Sequence, residues 1–142
     1  MIRLRRVIDA LPLGFEALRE EARTDGYRML DTLAAEWANG TTRFNRPGEA
    51  LLAAYGGDVL AGIGGLTWEP AIPGALRMRR FYVRAEFRRD GVGRALADIL
   101  LDEPRRAGRT ITANAAAGSE AFWEALGFTP DRRDGRTHLL AR

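Results

Sequence analysis

Hydrophobic and polar positions along the chain alternate between strand-like and helix-like periods. Ile2 and Leu4 alternate with Arg3 and Arg5, which predicts a half-buried strand running to about Ile8. Phe15, Leu18 and Ala22 then share one helical face, with Glu16, Arg19, Glu20 and Arg23 elsewhere, until Asp25-Gly26 breaks the pattern. Leu30, Leu33, Ala34 and Trp37 mark a second helix, stopped by Asn39-Gly40. A loop over residues 41–48 leads to two strands, 50–55 and 59–67, joined by the hairpin signal Gly56-Gly57-Asp58. Gly62, Gly64 and Gly65 weaken the second of these and predict a bulge, or the close approach of a backbone or ligand.

After a proline-containing loop (68–74), Met78, Phe81, Tyr82 and Val83 give residues 76–83 the propensity of a strand. Val92, Ala95, Leu96, Ile99 and Leu100 then recur on one face of a helix expected to end by Pro104. Residues 110–113 form a short strand that returns parallel to the 76–83 strand, a β-α-β crossover. Ser119 suits an N-cap for a short helix through Phe122, Trp123 and Leu126, with Gly127 at its C′ position. From Phe128 the chain is extended, with a hairpin turn at Asp134-Gly135 and a last strand over 137–140. The order β-α-α-β-β-β-α-β-α-β-β describes one α/β domain (α+β by some schemes), with a mixed central sheet flanked by helices. No repeat or linker divides residues 1–142.

Composition narrows the chemistry. Cysteine is absent, which excludes disulfides, thiolate metal sites and cysteine nucleophiles. Lysine is absent too, so all 22 basic residues are arginine, and neither a phosphate-loop lysine nor a Schiff base is available. The net charge of +3 is modest, and the arginines are dispersed among acids rather than gathered on one element. A nucleic-acid-binding module is therefore the weaker rival reading. No apolar run approaches the ~20 residues of a membrane helix, and the N-terminus has no signal-like apolar region. The chain reads as a cytoplasmic protein with its native start. His138, the only histidine, is expected to be structural, and no metal site is expected.

Between the 76–83 strand and the following helix stands Arg88-Arg89-Asp90-Gly91-Val92-Gly93-Arg94. A helix N-terminus presents unpaired N–H groups and the positive end of a dipole. Three arginines there oppose that dipole, and a bound anion, phosphate above all, would resolve the conflict. The alternative is a solvated basic turn.

With its preceding strand ending Phe81-Tyr82-Val83, this stretch resembles the acyl-CoA signature of the GNAT superfamily of N-acyltransferases: Arg or Gln, two residues, Gly, one residue, Gly or Ala. Asn114 and Phe122-Trp123-Glu124-Ala125-Leu126-Gly127-Phe128 are similar to the family's later motif, and the element order fits along the whole chain. The resemblance implies a GNAT-type sheet of about six to seven strands with about four helices. It also implies transfer of an acetyl group from acetyl-CoA to a primary amine. Backbone amides of Arg89, Gly91, Gly93 and Arg94 would cradle the pyrophosphate, and Arg88, Arg89 and Arg94 would add charge. Tyr82 and Val83 would offer backbone groups to the pantetheine arm, one amide stabilising the oxyanion, and Asn114 would order the cofactor pocket.

The sequence departs from the family pattern where proton transfer is concerned. Trp123 stands where many members carry a tyrosine acid, and an indole N–H cannot protonate a thiolate. Water, Tyr82 or Ser119 would have to serve instead. Arg77 occupies the place of a frequent acidic residue, which leaves Glu69 as the candidate catalytic base and Glu36 as a second. Those glutamates and their aromatic neighbours would suit a cationic small-molecule or peptide amine. A homodimer is compatible with the reading, and a non-catalytic acyl-CoA sensor is its main alternative.

Overall fold

The computed structural model describes residues 1–141. Seven strands form one sheet: β1 (Ile2–Arg6), β2 (Ala50–Gly56), β3 (Val59–Trp68), β4 (Leu76–Val83), β5 (Ile111–Ala113), β6 (Thr129–Arg133) and β7 (Arg136–Leu140). They lie in the order β1-β2-β3-β4-β5-β7-β6, and only β4 and β5 run parallel. The helix α3 (Val92–Arg106) supplies the crossover between that pair. Helices α1 (Phe15–Thr24) and α2 (Met29–Asn39) cover one face of the sheet. Helix α3 and the short α4 (Glu120–Ala125) cover the other. Each face has its own core, so the sheet is buried on both sides, as a strand pattern rich in small apolar residues requires.

Several boundaries differ from expectation for identifiable reasons. Strand β1 stops at Arg6, although Val7 still donates its N–H to Leu51 O at 2.8 Å and its side chain is buried. Helix α3 passes through Pro104 and ends at Arg106. Its buried stripe is Val92, Leu96, Ala97, Leu100, Leu101 and Pro104, while Ile99, placed by periodicity on the apolar face, is 58% exposed. The proline ring completes that stripe, so burial offsets the one helical hydrogen bond it forfeits. Ser119 sits at the N-cap of α4 but makes no cap bond; its hydroxyl donates to Ala116 O at 2.8 Å.

The feature that shapes the site is a bulge in β4. Register runs Leu66↔Met78 and Gly65↔Arg79, then resumes as Ile63↔Tyr82 and Gly62↔Val83. Gly64 therefore faces two residues, Arg80 and Phe81, and Arg80 takes a left-handed φ of 59°. The extra residue reverses the parity of the strand. Leu76, Met78, Phe81 and Val83 all join the α3 side, whereas Tyr82 joins the α1/α2 side. Gly64 makes room for this: a Cβ there would lie 2.7 Å from the Phe81 ring.

Candidate active site

Strands β4 and β5 pair only at Leu76↔Ile111 and Arg77↔Thr112. Beyond those two rungs they part, and a cleft of about 780 Å³ opens between them. Its walls are β4 from Arg77 to Val83, the turn and start of α3, the segment 114–119 after β5, Phe122 and Trp123 of α4, and the 26–29 loop between α1 and α2. The C-terminal ends of diverging parallel strands are where α/β folds place ligands.

Alternation along β4 decides which backbone groups face this cleft. Arg84 donates its N–H to Ala61 O on β3 at 2.8 Å. Two residues earlier, Tyr82 points the same way, and its backbone groups are spent in the ladder with Ile63. Phe81 and Val83 face the opposite, unpaired edge. The Val83 carbonyl there accepts from Arg88 Nε at 2.9 Å, leaving its N–H open to the cleft. Of the two residues expected to present backbone to a ligand, Val83 lies on the unpaired edge and Tyr82 in the ladder with β3; Phe81 shares the unpaired edge with Val83.

The Tyr82 side chain is also turned away from the cleft chemistry. Its hydroxyl lies 2.7 Å from Asp25 Oδ2, to which it donates, and 3.1 Å from Glu21 Oε2. Burial, reinforced by these two carboxylates, pushes the phenol well above its ordinary range, which makes it a weaker acid than a free tyrosine.

At the turn, Gly91 is the residue before α3 and has φ 77°, a left-handed conformation that favours glycine. Among the described residues, the backbone N–H groups of Arg89, Gly91, Val92, Gly93 and Arg94 have no acceptor, whereas Asp90 N–H bonds Phe87 O and Ala95 N–H bonds Gly91 O. Gly93 lies against Phe122, whose ring would be 3.1 Å from an added Cβ. The arginines are not equivalent. Arg88 Nη2 is held by Asp25 Oδ2 at 2.6 Å with its guanidinium over the Tyr82 ring, so it braces the turn against α1. Arg94 has only a loose, exposed pair with Asp98 at 3.7 Å, and Arg89 is exposed. Asn114, exposed at the end of β5, lines the cleft with no side-chain hydrogen bond among the described residues.

The two candidate bases are elsewhere. Glu69 is buried, with Oε2 accepting from Ala71 N–H at 2.9 Å and Oε1 from Thr112 Oγ1 at 2.8 Å and Arg77 Nη1 at 3.4 Å. Burial alone would raise its pKa, but the Ala71 amide, the Thr112 hydroxyl and Arg77 together hold it below the usual carboxylate range. Such a group is a poor proton acceptor, and it does not line the cleft. Glu36 is a bidentate partner of Arg80, at 2.9 and 3.0 Å from Nη2, and it too lies outside the lining. His138 is buried between Thr137 Oγ1 at 2.8 Å and Glu124 Oε2 at 2.9 Å, a structural placement.

The remaining wall is aromatic. Trp123 packs edge-on against Phe81 at 5.0 Å, Phe122 at 4.9 Å and Phe128 at 5.4 Å between ring centroids. Among the cleft residues that the sequence does not single out are Tyr27 and Arg79. Tyr27, in the loop between α1 and α2, donates its hydroxyl across to Ala117 O at 3.0 Å, and Arg79 enters from β4. Neither lies in a recognisable motif. The parity change of apolar positions from 76 and 78 to 81 and 83 was the available signal for the bulge that aims Phe81.

The description of an acetyltransferase (GNAT) domain matches residues 19–138. No curated protein sequence matches the chain. Solved structures share its fold. A protein from Exiguobacterium sp. 255-15 described as an acetyltransferase is 21% identical with TM-score 0.89, covering 99% of this chain and 93% of its own. The Bacillus subtilis N-acetyltransferase YlbP, solved with coenzyme A, is 17% identical with TM-score 0.63, covering 100% and 97%. The Escherichia coli ribosomal-protein-S18-alanine N-acetyltransferase is 17% identical with TM-score 0.64, covering 99% and 90%. With that domain matched over most of the sequence and the sheet splayed at β4 and β5, the chain belongs to the GNAT acetyltransferase family.

Proposed function

We propose that this protein transfers the acetyl group of acetyl-CoA to a primary amine. The observation that carries the reading is the line of unpaired backbone donors running from the turn before α3 to the free edge of β4. Amides of Arg89, Gly91, Gly93 and Arg94 suit a pyrophosphate, with Val92 alongside, because oriented N–H groups at a helix start bind anions. Arg94 and Arg89 are free to swing onto phosphate oxygens, while Arg88 holds the turn in place through Asp25. The open Val83 amide and the Asn114 side chain suit the amide groups of a pantetheine arm laid along β4. Acetyl-CoA would supply an activated thioester. A structural neighbour that holds coenzyme A and another that acetylates a ribosomal-protein alanine support the same reading.

Amides at the free edge, those of Phe81 and Val83, are the donors available to an oxyanion at the thioester carbon. As the amine nitrogen bonds to the acetyl carbon, the carbon–sulfur bond breaks, the ammonium proton passes to water and the thiolate takes one back. No carboxylate or histidine lines the cleft among the described residues, so positioning carries most of the rate. Tyr27 and Ser119 are hydroxyl-bearing residues of the lining, their hydroxyls donating to Ala117 O and Ala116 O. An amine screen that follows free CoA thiol tests this. Acceptor-dependent release is expected; tight acetyl-CoA binding with no release for any amine would favour the sensor alternative.

A further inference from the structure

Six arginines line the cleft, and no acidic residue does among the described residues: Arg28, Arg77, Arg79, Arg80, Arg88 and Arg94. Five are paired with a carboxylate standing behind the wall. Arg28 lies 3.6 Å from Asp31, Arg77 3.4 Å from Glu69, Arg80 2.9 Å from Glu36, Arg88 2.6 Å from Asp25 and Arg94 3.7 Å from Asp98. Among the described residues Arg79 has no such partner. Its one hydrogen bond runs from Nε to Thr67 Oγ1 at 3.2 Å, and its terminal nitrogens are not among the sealed, unsatisfied atoms of the protein. They are therefore open to solvent, and Arg79 is a lining residue of the cleft. Burial, with Arg80 and Arg77 close by, presses its pKa below the ordinary arginine value, against weaker support from Glu36 and Glu69. A partly buried guanidinium without a counter-charge is costly, and an arriving anion relieves that cost.

Position separates this group from the phosphate end. Arg79 precedes Val83 by four residues, roughly 12 Å of strand, and lies before the bulge, whereas the turn follows Val83. The free amides of Phe81 and Val83 stand between the two.

Resting on the acetyltransfer reading above, we propose that the acceptor is an amine that also carries a carboxylate or phosphate group, bound through Arg79. The two glutamates that would have favoured a cationic amine are consumed by Arg77 and Arg80, so the acceptor end of the cleft presents positive charge. The guanidinium fork fits either oxyanion, and its flexible stem sets the spacing between anion and amine loosely.

The test compares four amines of similar length as acceptors: an alkylamine, an ω-amino carboxylate, an aminoalkyl phosphate and a diamine. The anionic pair should exceed the alkylamine in kcat/KM by roughly 10- to 100-fold, as expected for hydrogen bonds to a charged group, and the diamine should be poorest. Whichever anionic acceptor leads identifies the group. In R79Q that advantage should vanish through KM for the acceptor, with KM for acetyl-CoA unchanged; R79K should recover part of it. Binding gives an independent arm. With CoA present, the anionic amines alone should raise the melting temperature of the wild type and not of R79Q. Preference for neutral or cationic amines, or an R79Q defect in acetyl-CoA binding instead, overturns the proposal. Failure of every amine to react, with anionic amines still stabilising only the wild type, would sink acetyl transfer and leave the anion site standing.

Discussion

Replacing Glu69 with glutamine separates a structural carboxylate from a catalytic base. The side chain is 1% exposed and accepts from three donors: the Ala71 amide, the Thr112 hydroxyl and the Arg77 guanidinium, itself 14% exposed. Glutamine keeps the shape but turns one acceptor into an NH₂ group. If the nitrogen takes the place of Oε2, it confronts the Ala71 N–H. If it takes that of Oε1, it confronts Arg77 and forces the Thr112 hydroxyl to rotate. Either way one hydrogen bond to a charged acceptor is lost and Arg77 loses its counter-ion, though it keeps the Gly135 carbonyl at 2.7 Å. Breaking a fully buried pair costs about 3–5 kcal/mol, and the retained carbonyl and partial exposure of Arg77 reduce this to about 2–4 kcal/mol. For a chain of this size the melting midpoint should fall by roughly 5–15 °C. Below the transition, kcat/KM should stay within about twofold of wild type, because the carboxylate does not line the cleft. A general base gives the opposite signature: a loss of about 10²- to 10⁴-fold in rate with the midpoint unmoved. That outcome would refute the structural assignment. An E69Q/R77M double-mutant cycle would then apportion the coupling.

Other positions yield further expectations. Arg80→Gly and Arg80→Ala both remove the Glu36 pair, but only alanine must hold the left-handed φ of 59°, so glycine should be the more stable by about 1 kcal/mol in chemical denaturation. Equal stabilities would mean that the bulge relaxes. Asp31 is held down to about 2 from 3.8 by hydrogen bonds from Arg23 and Arg19, which fastens α2 to α1. A lowered carboxylate stabilises fully above its unfolded value and loses that contribution as pH falls, so the pH-dependence of stability between about 4 and 2 should be shallower in D31N. With no carboxylate or histidine lining the cleft among the described residues, kcat/KM should climb tenfold per pH unit up to the pKa of the acceptor ammonium, with no enzyme-derived bend between about pH 5 and 7.5. A bend that stays put when the acceptor is changed would show a titrating group on the protein.

Element order was legible because each element carries its own period, and the parallel β4–β5 pair followed from the helix between them. The glycine-rich turn was legible as well, since its glycines and the stripe starting at Val92 are local features. Pairing across the sheet was not. Nothing in the sequence near Glu69 or Glu36 says that Arg77 and Arg80 take them, because the bulge at Arg80 sets which face each β4 side chain joins. The same parity change turned Tyr82 toward Asp25 and brought Phe81 to the free edge. Arg79 stands apart from Arg77 and Arg80 in having no carboxylate partner among the described residues, which is a fact of three-dimensional arrangement.

The most direct measurement is the melting midpoint of the purified protein with and without acetyl-CoA, with NAD, which shares the adenosine pyrophosphate, as control. At about 100 times its dissociation constant a ligand adds roughly 2.7 kcal/mol, a shift of roughly 10 °C here. That shift is expected with acetyl-CoA and none with NAD. No shift with acetyl-CoA, or equal shifts with both, would contradict a cleft and turn shaped for an acyl-CoA.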